Sequence, residues 1–283
     1  INAGKGRNAI VVAPHPRAKL TNKMIIDNMR AALEKMGAPA DLVQDVGIVS
    51  LEKTNELMKQ CDLILATGGA AMVGAAYSSG TPALGVGAGN AVITVDETAD
   101  IVDAAEKIRI SKTLDLAASC SADNSVIAVA SIYDDLVEKL IAEGGHLAKE
   151  GDYEKIAAVL WEDGHLNTKA VVLKPQVLCE MAGVDIPADA KFIIMPETGT
   201  GPDHPYSGEK LSVIMAFYKV SDIDEAIALT NQIQDYQGKG HSCGIYSNSD
   251  DNILKMGMGT KTSRVMVNQP QAASNSGNLW NGM

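Results

Sequence analysis

The sequence predicts an α/β protein built on parallel sheet, and three observations carry that expectation. Between residues 8 and 112, short apolar runs alternate with helix-spaced segments, the order of a doubly wound sheet. The runs NAIVVAP and VIAVASI are continuously apolar and rich in β-branched residues, as in strands covered on both faces. Several runs end in glycine or proline and open onto a helix pattern, which is how strands of such a sheet are joined. A chain of 283 residues can bury a large core and divide in two. An apolar share of 46% against 21% charged residues is that of an ordinary globular protein.

NAIVVAP (8–14) reads as a buried strand stopped by Pro14 and Pro16. PHPRAK follows as a loop with three potential cations, His15, Arg17 and Lys19; its place after a parallel strand suits a ligand, and a solvated turn is the alternative. TNKMIIDNMRAALEKMG (21–37) is an amphipathic helix, APADLVQDVGIV a connector with a short strand, and SLEKTNELMKQC (50–61) a helix with Ser50 as its N-cap. DLILATGGAAMVGAAYSSG (62–80) reads strand, glycine turn, helix, a geometry that points backbone N–H groups at a phosphate. Gly68 and Gly69 let a ligand approach the backbone there, although the spacing is not a G-x-G-x-x-G fingerprint and a plain tight turn is the alternative. PALGV, the bend GAGN and AVITVDE follow, then the helix TADIVDAAEKIRISKTL.

KTLDLAASCSADNS (112–125) holds Cys120 in a short link from that helix to the core strand VIAVASI. A link of this kind can fix a thiol and keep it exposed, as a cysteine nucleophile requires; a small buried apolar residue is the alternative. Beyond it come the helix YDDLVEKLIAEGG (133–145), a further helix in HLAKEGDYEKIAAVLWEDGHL with Trp161 on its apolar side, a short helix around Leu178–Met181, and the strand KFIIMPE. EKLSVIMAFYKV (209–220) reads as a long strand, DIDEAIALTNQIQ as a helix, HSCGIYSN as a strand, SDDNILKMGMGT as a helix and RVMVNQP (264–270) as a final strand.

A net charge of −11 argues against nucleic acid or an anionic membrane surface as partner, and no apolar run is long enough to span a bilayer. Cys61, Cys120, Cys179 and Cys243 are scattered without a C-x-x-C pair, which argues against a zinc site or disulfide framework and fits a reducing cytoplasm. The chain opens on Ile1 and runs almost at once into a core strand, and NSGNLWNGM has no helix or strand finish. It reads as the interior of a larger protein, with segments missing from both ends.

PHPRAK, ILATGG-AAMV-AAYSSG, P-LGVGAGN, V-DETADI, the SKT segment before Cys120, GEKLSV, the GHS triplet at 240–242 and VNQP occur in one order along the whole chain. Together they resemble the aldehyde dehydrogenase superfamily, and within it the CoA-acylating branch. The resemblance implies a Rossmann-type NAD(P) domain (1–112, partial), a second α/β domain carrying the nucleophilic cysteine (113–264), and a return segment towards the cofactor or oligomerisation region (265–283, partial). A β-hairpin from later and terminal segments would make the protein a dimer or higher homo-oligomer. Cys120 would be the nucleophile and His241 the histidine that this branch carries near it. Pro14, His15, Pro16 and Arg17 would border the adenosine side of NAD or NADP, and Gly68 and Gly69 the pyrophosphate. Gly87, Gly89 and Asn90 would line the nicotinamide side, and Glu209 would bond the nicotinamide ribose.

Hydrolytic members carry a glutamate in the segment aligned with GVGAG; Val86 stands there in this chain. Without that base, a thioester on Cys120 would await the thiol of coenzyme A instead of water. His204, Lys210 and Arg264 would favour a small anionic aldehyde. Two other readings stand beside this one. A glutamyl-phosphate reductase type enzyme would use phosphate. A fragment with an assembly role would lack the superfamily's oxyanion asparagine and C-terminal segment.

Overall fold

The computed structural model describes residues 2–274, so the NSGNLWNGM end (275–283) lies outside the described residues. The chain forms two compact units, 1–87 and 88–283.

The first unit contains α1 (Asn2–Lys5), β1 (Ile10–Val12), α2 (Lys19–Lys35), β2 (Val43–Asp45), α3 (Leu51–Gln60), β3 (Ile64–Thr67), α4 (Ala70–Tyr77) and β4 (Ala83–Val86). β1 pairs with β2 and β3 with β4, both in parallel. Ser50 caps α3 as its sequence suggests, its hydroxyl accepting the Lys53 N–H at 3.1 Å. β1 is half-exposed, not buried as its composition suggests. Met58, Ile64, Ala66 and Ala76 form the small core of α3, β3 and α4. α4 lies so close to β4 that a Cβ on Gly85 would sit 2.6 Å from Val73 Cγ1, which leaves glycine as the residue that fits.

The second unit contains β5 (Ala91–Val95), α5 (Ile101–Thr113), β6 (Asp123–Val129), α6 (Tyr133–Ala142), β7 (Gly145–Leu147), α7 (Asp152–Leu160), the hairpin β8 (Trp161–Glu162) and β9 (His165–Leu166), α8 (Pro175–Ala182), β10 (Phe192–Pro196), β11 (Ile214–Val220), α9 (Ile223–Tyr236), β12 (Cys243–Tyr246), α10 (Asp250–Gly259), β13 (Val265–Val267) and α11 (Gln271–Ser274). Seven strands form one parallel sheet in the order β13-β12-β5-β6-β11-β10-β7. Alternate residues of β5 and β6 face opposite layers. Val92 and Ile127 join a core with Ile156, Leu160 and Leu178, while Ile93, Val126 and Ala128 join another with Ala104, Ile108 and Leu136. Burial on both faces explains the continuous apolar runs.

The AVITVDE strand and the helix after it are β5 and α5, and β5 lies inside the seven-stranded sheet between β12 and β6. Periodicity identifies a strand but not the sheet it joins. β7, only Gly145–Leu147, is too short to show strand alternation in the sequence. Trp161 lies past the end of α7, where it opens the β8–β9 hairpin and meets the Tyr206 ring edge-on at 4.9 Å.

The sheet order has one consequence for function. β12, β5, β6 and β11 are adjacent and point the same way. The segments that enter them, ending at His241–Ser242, Gly89–Asn90, Cys120–Ala122 and Glu209–Ser212, therefore gather along one amino edge.

Candidate active site

Cys120 is reached through an unusual turn. α5 ends at Thr113, and Asp115, Leu116 and Ala117 follow with φ of 48°, 53° and 60°. Left-handed conformations in side-chain-bearing residues cost about 1–2 kcal/mol each and concentrate at functional sites. The turn reverses the chain so that Ser119–Ala122 cross the amino edge into β6. There the hydroxyls of Ser119 and Ser121 lie 2.8 Å apart, and the Ala122 N–H donates to the Ser119 carbonyl at 3.0 Å. Gly89 backs directly onto the cysteine: a Cβ on it would lie 2.4 Å from the Cys120 carbonyl oxygen and 2.8 Å from Cys120 Cβ.

His241 faces the thiol, its Nε2 3.3 Å from Cys120 Sγ. The His241 backbone is pinned on both sides: its N–H donates to Gly238 O at 3.1 Å, and its carbonyl accepts the Ser263 hydroxyl. Burial pushes the Cys120 thiol up, helped by the Glu209 carboxylate, while its own backbone N–H and Arg264 pull it down. Burial also pushes the imidazole down, and Arg264 adds to that. Both shifts favour the thiol and the neutral imidazole at neutral pH.

Glu209 is the carboxylate at the sulfur. Its Oε1 accepts the Gly89 N–H at 3.0 Å, and its own N–H donates to Gln237 Oε1 at 2.8 Å. Burial raises the carboxyl to about 7, against the Gly89 N–H and Lys210. Glu209 shares with Cys120, Lys112, Asn124 and Leu211 a cavity of about 10 Å³, room for one water at most. Beneath it, burial brings Lys112 down to about 7 and Asp123 up to about 7, although the two charges attract and Ser111 donates to Asp123 at 2.8 Å.

Of the residues singled out in the sequence, the second unit thus brings together Cys120, His241, Glu209 and Gly89. Asn90 is beside them but committed: its Nδ2 donates to Ser207 O at 2.8 Å and its Oδ1 accepts from Asn124 at 2.6 Å. Pro14, His15, Pro16, Arg17, Gly68, Gly69 and Gly87 belong to the first unit, as does Val86 at the end of β4. His15 turns inward on its own loop, Nδ1 accepting the Arg17 N–H at 3.2 Å. Gly68 donates its N–H to Val86 O at 3.1 Å, which continues the β3–β4 pairing past Thr67.

Two expected cations leave the site. Lys210 is fully buried, with its ammonium on the carbonyls of Tyr206 and Gly208. His204 bonds Glu197 at 2.7 Å and lines a cavity of about 660 Å³ with Tyr153, Tyr218 and Lys219, at the carboxyl ends of β10 and β11. Arg264 remains, near enough to depress both Cys120 and His241. Lys112, Ser242 and Gln271 were not singled out. The signal for Lys112 was present: it lies in the SKT motif, one turn from Ile108 on the apolar side of α5.

The aldehyde dehydrogenase family model matches residues 5–157, just over half of the chain. Sulfoacetaldehyde dehydrogenase of Acholeplasma sp. is 42% identical over 99% of this chain and 58% of its own length. The crystal structure of an acetylating aldehyde dehydrogenase from Geobacillus thermoglucosidasius superposes with a TM-score of 0.93 at 38% identity, over 98% of this chain and 62% of that one. The Rhodopseudomonas palustris propionaldehyde dehydrogenase with bound propionyl-CoA gives a TM-score of 0.87 at 30% identity, over 97% and 61%. The chain belongs to the aldehyde dehydrogenase family, in its acylating branch. It spans about three-fifths of the length of these relatives.

Proposed function

We propose that this chain carries the acyl-transfer chemistry of a CoA-acylating aldehyde dehydrogenase, which interconverts a short aldehyde and its acyl-CoA with NAD(P) through a thioester on Cys120. The observation that carries this reading is the thiol–imidazole pair, Cys120 Sγ at 3.3 Å from His241 Nε2. The bound propionyl-CoA of the Rhodopseudomonas relative supports the acyl acceptor.

The first unit is the cofactor-binding one and the second the catalytic one. The β3–α4 turn fits a dinucleotide: around Gly69 the space a Cβ would fill is open, and Ala70 and Ala71 open α4, where the first N–H groups of a helix lack an intrahelical acceptor. Gly68 and Gly69 would hold the pyrophosphate, Glu209 the nicotinamide ribose. NAD(P)+ supplies the hydride acceptor when bound. Pro14, His15, Pro16 and Arg17 would border the adenosine, and Gly87 and Gly89 the nicotinamide.

The residues then act in order. The Cys120 S–H proton passes to His241 Nε2, and the thiolate adds to the aldehyde carbon to form a thiohemiacetal. The backbone N–H of Cys120, which already lies against its own sulfur, would bond the resulting oxyanion. Loss of a hydride from the oxyanion leaves the acyl group as a thioester on Cys120, and the His241 imidazolium releases its proton to solvent. His241, neutral again, takes the proton of the CoA thiol, whose sulfur attacks the thioester carbon and expels the Cys120 thiolate, which recovers a proton from the ring. Arg264 is the remaining cation for an anionic aldehyde, sulfonate or carboxylate. The enzyme works in the cytoplasm as a homo-oligomer.

Turnover of an aldehyde panel with NAD+ or NADP+, and with CoA, phosphate or neither, tests this. Acyl-CoA formation with CoA alone as acceptor is expected, and Cys120→Ala should lose at least about 10⁴-fold. Acyl phosphate as product would favour the phosphorylating reading. Free acid formed equally well without CoA would make Glu209 a base for water. An undiminished Cys120→Ala protein would end the scheme.

A further inference from the structure

The ring of His241 is held from behind. Its Nδ1 lies 2.9 Å from Ser242 Oγ, and that hydroxyl donates to Gln271 Oε1 at 2.7 Å. Ser242 and Gln271 are both fully buried, so water does not compete for either. A carbonyl oxygen can only accept, and a serine hydroxyl has a single hydrogen. With that hydrogen on Gln271, Ser242 can only accept from the ring. Nδ1 therefore carries the proton of the neutral imidazole, and the bare lone pair of Nε2 points at Cys120 Sγ.

We propose that Ser242 and Gln271 are positioning residues that fix the Nδ1–H tautomer of His241, so that Nε2 is always the base facing the sulfur. This rests on the reading of Cys120 and His241 given above. Both are set in place by the fold. Ser242 leads into β12, and its carbonyl accepts Gln234 Nε2 at 2.8 Å from α9. Gln271 opens α11, whose Ala272 N–H donates to Ser111 Oγ at 3.0 Å at the end of α5. The helix that leads to the cysteine thus also anchors the far end of the relay. In the proton transfer the S–H proton moves to Nε2, giving imidazolium and thiolate, while Nδ1–H stays on Ser242. Without the hydroxyl the ring is free to take the Nε2–H form, which donates to sulfur and cannot accept its proton.

The test has two arms. Long-range ¹H–¹⁵N spectra of the histidine rings, with the His241 signal assigned by its loss in His241→Ala, should show a bare Nε2 and a protonated Nδ1. An Nε2–H form in the unaltered protein overturns the proposal, whatever the variants do. Iodoacetamide labelling of Cys120, followed by peptide mass spectrometry at pH 7, should slow about ten-fold in Ser242→Ala and Gln271→Leu. Ser242→Thr restores the hydroxyl and should stay within about two-fold of the unaltered protein, and Ser242→Ala should add nothing in a His241→Ala background. Labelling of Ser242→Ala at the unaltered rate overturns the proposal. Failure of the proposed function shows elsewhere, as turnover surviving in Cys120→Ala, and leaves the tautomer spectrum untouched.

Discussion

The two edges of the seven-stranded sheet differ in the opposite sense from what cavity size suggests. At the carboxyl edge, where open parallel sheets usually bind ligands, lies a cavity of about 660 Å³ lined by Tyr133, Tyr153, Tyr218 and Glu197. Its buried carboxylate is satisfied: Glu197 accepts from Tyr153 at 2.9 Å and from the N–H groups of Thr198 and Gly199, and pairs with His204. At the amino edge the space beside Cys120 is about 10 Å³, yet the thiol, an imidazole and a carboxyl at about 7 meet there. The edges are about 20 Å apart along the seven-residue β6 and β11. The proposed chemistry is assigned to the amino edge because groups with displaced protonation converge there, not because of volume.

The contrast can be broken most severely at Gly89. A Gly89→Ala methyl collides with the backbone of Cys120, so thiol and imidazole part, and acyl-CoA formation should fall about a hundred-fold. Activity near that of the unaltered protein would mean the thiol does not need this seat. The carboxyl edge should respond in the other currency, stability. Glu197→Ala removes the acceptor for Tyr153, His204 and two amides and should cost about 2–3 kcal/mol by denaturant unfolding. Cys120 labelling should stay within about two-fold, because Glu197 and Cys120 have no bonding partner in common. A large loss of labelling would couple the edges.

Glu209→Gln sharpens the electrostatics of the amino edge. The carboxylate opposes the thiolate, so its removal should move the labelling profile of Cys120 to lower pH. Its sign in stability is equally definite. A carboxyl raised from 4.5 to about 7 holds its proton better when folded, so its contribution is present at low pH and is lost as pH climbs through about 7. Glu209→Gln should flatten that part of the stability profile. The smallest effect is expected at Asp115, exposed and left-handed at φ 48°. Asp115→Gly should relieve strain and stabilise the chain by about 0.5–1 kcal/mol if the turn is formed as described.

Much of this was legible in sequence because local signals agreed with the fold. Ser50 had a helix behind it and became a cap; Cys120 lay between a helix pattern and a buried strand and is found in that link. What was not legible depended on partners distant in the chain. Lys210 looks like a loop cation beside Glu209, but the carbonyls of Tyr206 and Gly208 bury its ammonium. Asn90 ties its turn to Asn124 and Ser207, partners that its local sequence does not indicate. Ser242 is one serine before a strand until Gln271 is brought behind it, 29 residues on. The place of β5 in the sheet is not legible locally because its neighbours, β6 and β12, lie later in the chain.

The central claim is that the acyl group rests on one sulfur and leaves with a thiol. The chain mixed with propionyl-CoA, then freed of small molecules, should carry a propionyl mass on the Cys120 peptide and on no other cysteine. That adduct should persist in buffer and be discharged at least about a hundred-fold faster when CoA is added. An adduct absent from Cys120, or lost to water as fast as to CoA, would contradict the account.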